Sequence, residues 1–259
     1  VGCKYKGIKM KNRKYRALIS SDWSECLSPS GPFDVVSFTY PNLEPDIEKI
    51  FRAYTGNVIP LSEAYRQIAA LLPQPITEAQ MDNYLDECFS TYQGVANLIK
   101  WCNKRDIFFM INSTGMQGYF QRAFSKGRLP VVPVISANPA IKFKENKNIN
   151  CEWHDLTETQ DKPLNTAKLM QSLGLMPGRV IIIGDSGGDG PHFEWGSKTG
   201  AMLIGSMTKW SLMKYCSEKE IKINLHFGPC YEKGEVRNEK LEKYIDFNNL
   251  IPKIEAVLF

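Results

Sequence analysis

Short apolar runs ending in small polar residues alternate with amphipathic stretches along most of this chain. Residues 15–21 (YRALISS) are the first such run and predict a core strand. Asp22-Trp23-Ser24-Glu25-Cys26-Leu27-Ser28 comes directly after it, and Pro29-Ser30-Gly31-Pro32 forces a loop. From about residue 46 to 92 the period becomes helical, in DIEKIFRAY, LSEAYRQIAALL and TEAQMDNYLDECFSTY, with breaks at Gly56, Pro60, Pro73 and Pro75. Ser62 and Thr77 have N-cap chemistry, and Glu78 adds an acid to a first turn. Several helices in a row after a single strand predict a small helical lobe, outside any βα alternation.

The alternation resumes at Gly94. Residues 95–104 (VANLIKWCNK) read as an amphipathic helix, 107–111 (IFFMI) as a buried strand capped by Asn112-Ser113-Thr114-Gly115, and 117–124 as a helix. Between 130 and 155 the pattern is weaker: VVPVISAN and AIKFKEN read as short strands about a turn at Asn138-Pro139. A helix over 163–173, stopped by Gly174 and Pro177-Gly178, leads to VIII at 180–183, which has the composition of a parallel strand buried on both faces. AMLI at 201–204 predicts another strand, and 247–258 a closing helix. The fold class expected is α/β, a Rossmann-like parallel sheet with a small helical unit inserted.

Composition narrows the class only slightly. A chain of 259 residues, 43% hydrophobic and 23% charged, suits one large α/β unit or a core plus an insert. Much of the net charge of +4 lies in Lys4, Lys6, Lys9, Lys11, Arg13, Lys14 and Arg16, which suit a solvated basic lead-in, so no nucleic-acid partner is expected. The first residue, Val1, suits a trimmed or processed chain. There is no apolar core of a secretory signal and no run of membrane-spanning length, and the expected location is cytoplasmic. Seven cysteines without a CxxC pair fit scattered reduced thiols, and His154, His192 and His226 are not at paired zinc spacing.

Chemistry concentrates in residues 179–205, RVIIIGDSGGDGPHFEWGSKTGAMLIG. Asp185 and Asp189 stand just past a strand's end, where open α/β sheets place ligands. The intervening glycines let the backbone turn tightly enough to aim both acids at one point, as a hard cation such as Mg²⁺ requires. Asp22, Ser113 and Lys162 stand after other apolar runs and could converge there. A carboxylate nucleophile, a cation and a clamp of lysine, hydroxyl and amides are coherent equipment for phosphoryl transfer.

With these residues the chain resembles the haloacid dehalogenase (HAD)-like hydrolases, in the phosphoserine-phosphatase-like group. Their first motif, a strand then D-x-D-x-T, corresponds to LISSDWSECLS with Asp22 as nucleophile; their second, a strand ending in Ser or Thr, to FFMINSTG and Ser113. The third, a lysine opening a helix, corresponds to Asp161-Lys162-Pro163, and the fourth, hhhhGDxxxD, to VIIIGDSGGDG. SANPAIKF also resembles a segment of that group. The resemblance implies a core of residues 1–30 and 93–259, with 31–92 as a C1-type helical cap. It also implies Asp22, the Ser24 carbonyl and Asp185 as Mg²⁺ ligands with Asp189 in support. Ser113, Thr114, Gly115 and Lys162 would then bind the phosphoryl oxygens of a small phosphorylated substrate. Lys142, Lys144 and Lys168 remain alternatives to Lys162, and Thr114 to Ser113.

Ser24 stands where the family's phosphatases carry a second Asp, the acid that protonates the leaving group, and Cys26 replaces their Thr. Serine cannot serve as that acid near neutral pH. The expectation is a phosphatase working through an aspartyl-phosphate. Two alternatives stand beside it. DWSEC also resembles the DWAGT start of phosphonatases, which suggests a phosphonate or C–X hydrolase, and the missing acid suggests a weakly catalytic binding or regulatory protein. Substrate identity and oligomeric state are not legible.

Overall fold

The chain builds its core from strands whose side chains alternate between two apolar layers. A computed structural model describes residues 13–144 and 146–259, so Cys3, Lys4, Lys6, Lys9 and Lys11 of the basic segment, and Glu145, lie outside the described residues. Ala17–Ser21 forms β1, and after it come the helices α1 (Asp34–Thr39), α2 (Glu44–Thr55), α3 (Leu61–Leu71), α4 (Glu78–Cys88) and α5 (Val95–Lys104). Then come β2 (Ile107–Met116), α6 (Gln117–Ser125), β3 (Val134–Asn138), β4 (Glu152–Asp155), α7 (Asp161–Ser172) and β5 (Val180–Gly184). The chain closes with α8 (Gly190–Thr199), β6 (Met202–Lys209), α9 (Trp210–Glu218), β7 (Leu225–Tyr231), α10 (Glu239–Glu242) and α11 (Ile251–Leu258).

All seven strands join one sheet in the order β4-β3-β2-β1-β5-β6-β7, and every pairing is parallel. Ile19, Phe109 and Ile181 belong to one apolar layer, and Leu18, Phe108 and Ile182 to the other. That alternation explains why the central strands carry no polar face. Ser21 pairs with Ile111 on one side and Ile183 on the other, so the three central strands β1, β2 and β5 are aligned level by level. Their carboxyl-terminal segments are therefore brought together.

The helices between β1 and β2 supply most of a third apolar cluster, including Phe33, Ile47, Tyr54, Leu61, Tyr65, Met81 and Leu85, which Met116, Ala123 and Leu156 of the core complete. They are tied to the sheet by polar contacts. Arg122 of α6 holds Asp82 of α4 through two hydrogen bonds of 2.7 Å, and Tyr65 donates to the Thr114 carbonyl at 2.8 Å.

Several expectations need correction. Ser62 is not an N-cap: α3 begins at Leu61, and the Glu158 carboxylate accepts from the Leu61 and Ser62 backbone N–H groups instead. Thr77 does cap α4, in a reciprocal box with Gln80. β2 continues past Ile111 to Met116, and the Asn112 side-chain NH₂ donates inside to the Ser20 hydroxyl, the Lys162 carbonyl and the Thr166 hydroxyl. AIKFKEN forms no strand over its described residues. Its backbone bonds go to Gly118 and to the side-chain amide of Gln121. The edge strand is the polar EWHD instead, half-buried on the sheet's rim. Residues 247–258 open with a 3₁₀ turn before α11.

Candidate active site

Gly184 ends β5, and a methyl group there would stand 2.6 Å from the Asp189 carboxyl carbon. The missing side chain lets Asp189 fold back over the strand end, where its Oδ2 accepts from the Asp185 and Ser186 N–H groups at 2.9 and 3.3 Å. Gly188 makes room for the Tyr54 hydroxyl of α2, which would lie 2.6 Å from a Cβ at that position. The acidic loop is thus shaped by its own glycines and covered by a helix from the insert.

Lys162 enters at the start of α7 and is about 1% exposed. Its ammonium donates to Asp22 Oδ1 at 3.0 Å and to Asp189 Oδ1 at 2.5 Å. Asp161 beside it accepts from the Thr157 and Glu158 N–H groups and so fixes the turn that aims the lysine. Burial works against the Lys162 charge, but Asp189 and Asp22 overcome it and hold the pKa well above the ordinary lysine value. Asp22 is pushed up to about 6, mainly by burial and by Asp189, with Lys162 opposing.

Asp185 is different. Lys209, at the end of β6, brings its ammonium within 2.9 Å of Asp185 Oδ2 as an ion pair. Asp185 Oδ1 is buried without a hydrogen-bond partner among the described residues, and burial drives the Asp185 pKa well up, with Lys209 opposing. Lys209 also pairs with Glu25, which accepts from Arg237 at 2.7 Å, and Arg237 in turn pairs with Glu242.

One oxygen from each of Asp22, Asp185 and Asp189 lies within 4.8 Å of the others, all three residues buried. With every carboxylate ionised, as a bound cation would hold them, Asp22, Asp185, Asp189, Glu25 and Glu242 outnumber the cations paired with them, Lys162, Lys209 and Arg237, by two. An unpartnered hard oxygen on Asp185 and that surplus fit a divalent cation. Asp185 and Asp22 have oxygen atoms to offer it. Asp189 is engaged on one oxygen by Lys162 and on the other by backbone N–H groups.

A cleft lined by Asp22, Ser24, Thr114, Lys162 and Asp185 gathers most of the predicted residues. Ser113 is not among its walls: it is fully buried and its hydroxyl accepts from the Gly115 N–H at 3.1 Å. Gly115 lines an adjoining aromatic cavity with Trp23, Ser24, Tyr84, Tyr119 and Phe120. Lys142, Lys144 and Lys168 are not at the cleft. His192 is buried outside the cleft, shares a hydrogen bond of 3.0 Å with Thr166, and has its pKa lowered to about 3 by burial and Lys162, which keeps its imidazole uncharged at neutral pH. Trp195 stacks on it. Sequence reasoning missed Tyr54, Glu25 as an ion-pair partner, and Lys209. The first two carried no pattern, and Lys209 was hidden behind a strand thought to end at Ile204.

No protein-family model matches the chain, and no curated protein matches it. Solved structures do. The architecture is the HAD-like α/β fold. It is similar to a phosphoserine phosphatase described as a phospho-aspartyl intermediate analogue, at 15% identity and a TM-score of 0.65, covering 93% of this chain and 99% of that one. It is also similar to a HAD family hydrolase from Salmonella enterica serovar Typhi (15% identity, TM-score 0.66, 96% and 74% covered). A third is a probable phosphoserine phosphatase from Vibrio cholerae in unliganded form (11%, TM-score 0.60, 96% and 68%).

Proposed function

We propose that the chain is a Mg²⁺-dependent phosphatase acting on a small phosphorylated metabolite through an aspartyl-phosphate at Asp22. The observation that carries this reading is the Lys162 ammonium, buried between Asp22 and Asp189 beside an Asp185 whose Oδ1 has no partner among the described residues. An Asp22 carboxylate oxygen attacks phosphorus, and the P–O bond to the leaving group breaks with its electron pair. Water then attacks the phosphorus of the acyl phosphate, releasing phosphate and restoring Asp22. Asp22, Asp185 and the Ser24 carbonyl would hold the cation, with Asp189 in support; when bound, Mg²⁺ neutralises charge where nucleophile and phosphoryl oxygens meet. Lys162, the Ser113–Gly115 segment and the Thr114 hydroxyl bind those oxygens. The helical segment 31–92 acts as a cap over the site. Glu25 does not replace the missing acid: burial raises its pKa, but Lys209 and Arg237 overcome that and hold it below the usual range, so it stays ionised.

The phosphonate reading needs a cap lysine, and Lys49 is exposed on α2 away from the cleft. The binding-module reading draws on the lack of an ionisable acid beside Ser24. A panel of phosphate monoesters with Mg²⁺ separates these. The phosphatase reading predicts turnover of aryl and acyl phosphates, whose leaving groups need no proton, and slow turnover of alkyl phosphates. Ser24→Asp should raise alkyl turnover by on the order of 10²–10⁴-fold and aryl turnover little. No turnover of any ester by either protein would favour the binding module.

A further inference from the structure

Nothing in the phosphatase mechanism uses Lys209, yet its position depends on unusual backbone geometry. β6 and β7 shift register between Ser206 and Thr208, and Met207 between them takes φ of 43°, in the left-handed region that non-glycine residues avoid. Such an irregularity re-aims the side chains beyond it. The Lys209 N–H then donates to the Asp185 carbonyl at 2.8 Å, which anchors the residue beside the acidic loop. Its partner Glu25 also has a left-handed φ, of 57°. A left-handed residue at Glu25, and another two positions before Lys209, signal a contact that the surrounding structure enforces. On its third side, Lys209 lies 5.6 Å from the centre of the Phe51 ring of α2.

We propose that Lys209 is a tethered cation that competes with the divalent ion for Asp185, and that Glu25 is the carboxylate to which it withdraws. This rests on the phosphatase reading's placement of the metal. An ammonium 2.9 Å from Asp185 Oδ2 covers the charge of that carboxylate and occupies that oxygen, while Oδ1 keeps its lone pairs open. An arriving Mg²⁺ repels it. Glu25 offers a second carboxylate already in contact, so the ammonium is never left buried and unpaired. Metal affinity is then set by the difference between Lys209 shared by two carboxylates and Lys209 on Glu25 alone.

Calorimetric titration of MgCl₂ into the chelator-stripped full chain tests this, with near-ultraviolet circular dichroism as the check on folding. Lys209→Met should tighten Mg²⁺ binding on the order of tenfold, a typical size for coupling between groups in direct contact. Glu25→Gln should weaken it, because Lys209 then has only Asp185 to hold. Lys209→Gln repeats the first arm with a polar side chain, in case the methionine variant misfolds. Asp185→Asn should abolish binding. Unchanged or weaker binding in both Lys209 variants, with Asp185→Asn still abolishing it, overturns the proposal and leaves the metal placement intact. Binding that survives Asp185→Asn, or is absent from every protein, overturns the metal placement as well.

Discussion

Two lysines each bridge a pair of carboxylates at this site, and they are built to opposite specifications. Lys162 comes from the first turn of a helix, is sealed from solvent, and hydrogen-bonds both Asp22 and Asp189, the second of which is also held by backbone N–H groups. Lys209 comes from a strand end beyond an irregularity and keeps some solvent exposure. One of its partners is backed by Arg237, and the other keeps one unpartnered oxygen, Asp185 Oδ1. A closed set fixes the nucleophile in one place. An open set leaves a position into which charge can move. The contrast assigns rigidity to Lys162 and exchange to Lys209.

Neutralising each lysine should expose that contrast most strongly. Lys162→Met strands two buried carboxylates and should cost about 3–5 kcal/mol in urea unfolding of the metal-free protein. Lys209→Met should cost less than half as much, since Glu25 retains Arg237. Equal losses would erase the distinction.

The pH dependence of stability should sharpen it further, because Asp22 beside Lys162 and Glu242 beside Arg237 have opposite slopes. Asp22 has a folded pKa of about 6, above its ordinary 3.8, so the folded state holds the extra proton. In the metal-free protein its contribution is present below about pH 4 and is lost as pH rises through 6. Glu242 is the reverse. Burial raises its pKa, but Arg237, Tyr92 and Tyr231 together bring it below the ordinary 4.5. Its contribution is present above that value and is lost as pH falls through the folded pKa. Relative to wild type, Asp22→Asn should therefore gain stability from pH 4 to 6 by about 2–3 kcal/mol. Glu242→Gln should lose its disadvantage only below about pH 4.5, over a smaller range. Parallel curves for the two variants would contradict the assignment.

Half of this comparison was legible in the sequence. Apolar runs at 15–21 and 180–183 marked β1 and β5, and residues just past a buried parallel strand are forced to its carboxyl end, so Asp22, Asp185 and Asp189 could be placed together. Lys162 could be placed from its position at the opening of a helix. The Lys209 set was not legible, because its geometry depends on a register shift and two left-handed residues, Glu25 and Met207, that no periodicity announces. Nor could the second motif be resolved to an atom. The chain shows a hydroxyl at Ser113 and another at Thr114, and only the continuation of β2 to Met116 decides that Ser113 turns back on Gly115 while Thr114 faces the cleft. The edge strand β4 was missed for a third reason: a rim strand need not be apolar.

The central claim is that Asp22, held by Lys162, accepts the phosphoryl group. The most direct measurement is peptide mass spectrometry of the protein, acid-quenched during turnover of an aryl phosphate with Mg²⁺. The account predicts one phosphoryl group on the peptide containing Asp22, converted to homoserine at that position by borohydride and absent from Asp22→Asn. Turnover with no label on Asp22, or a label that persists in Asp22→Asn, would contradict it.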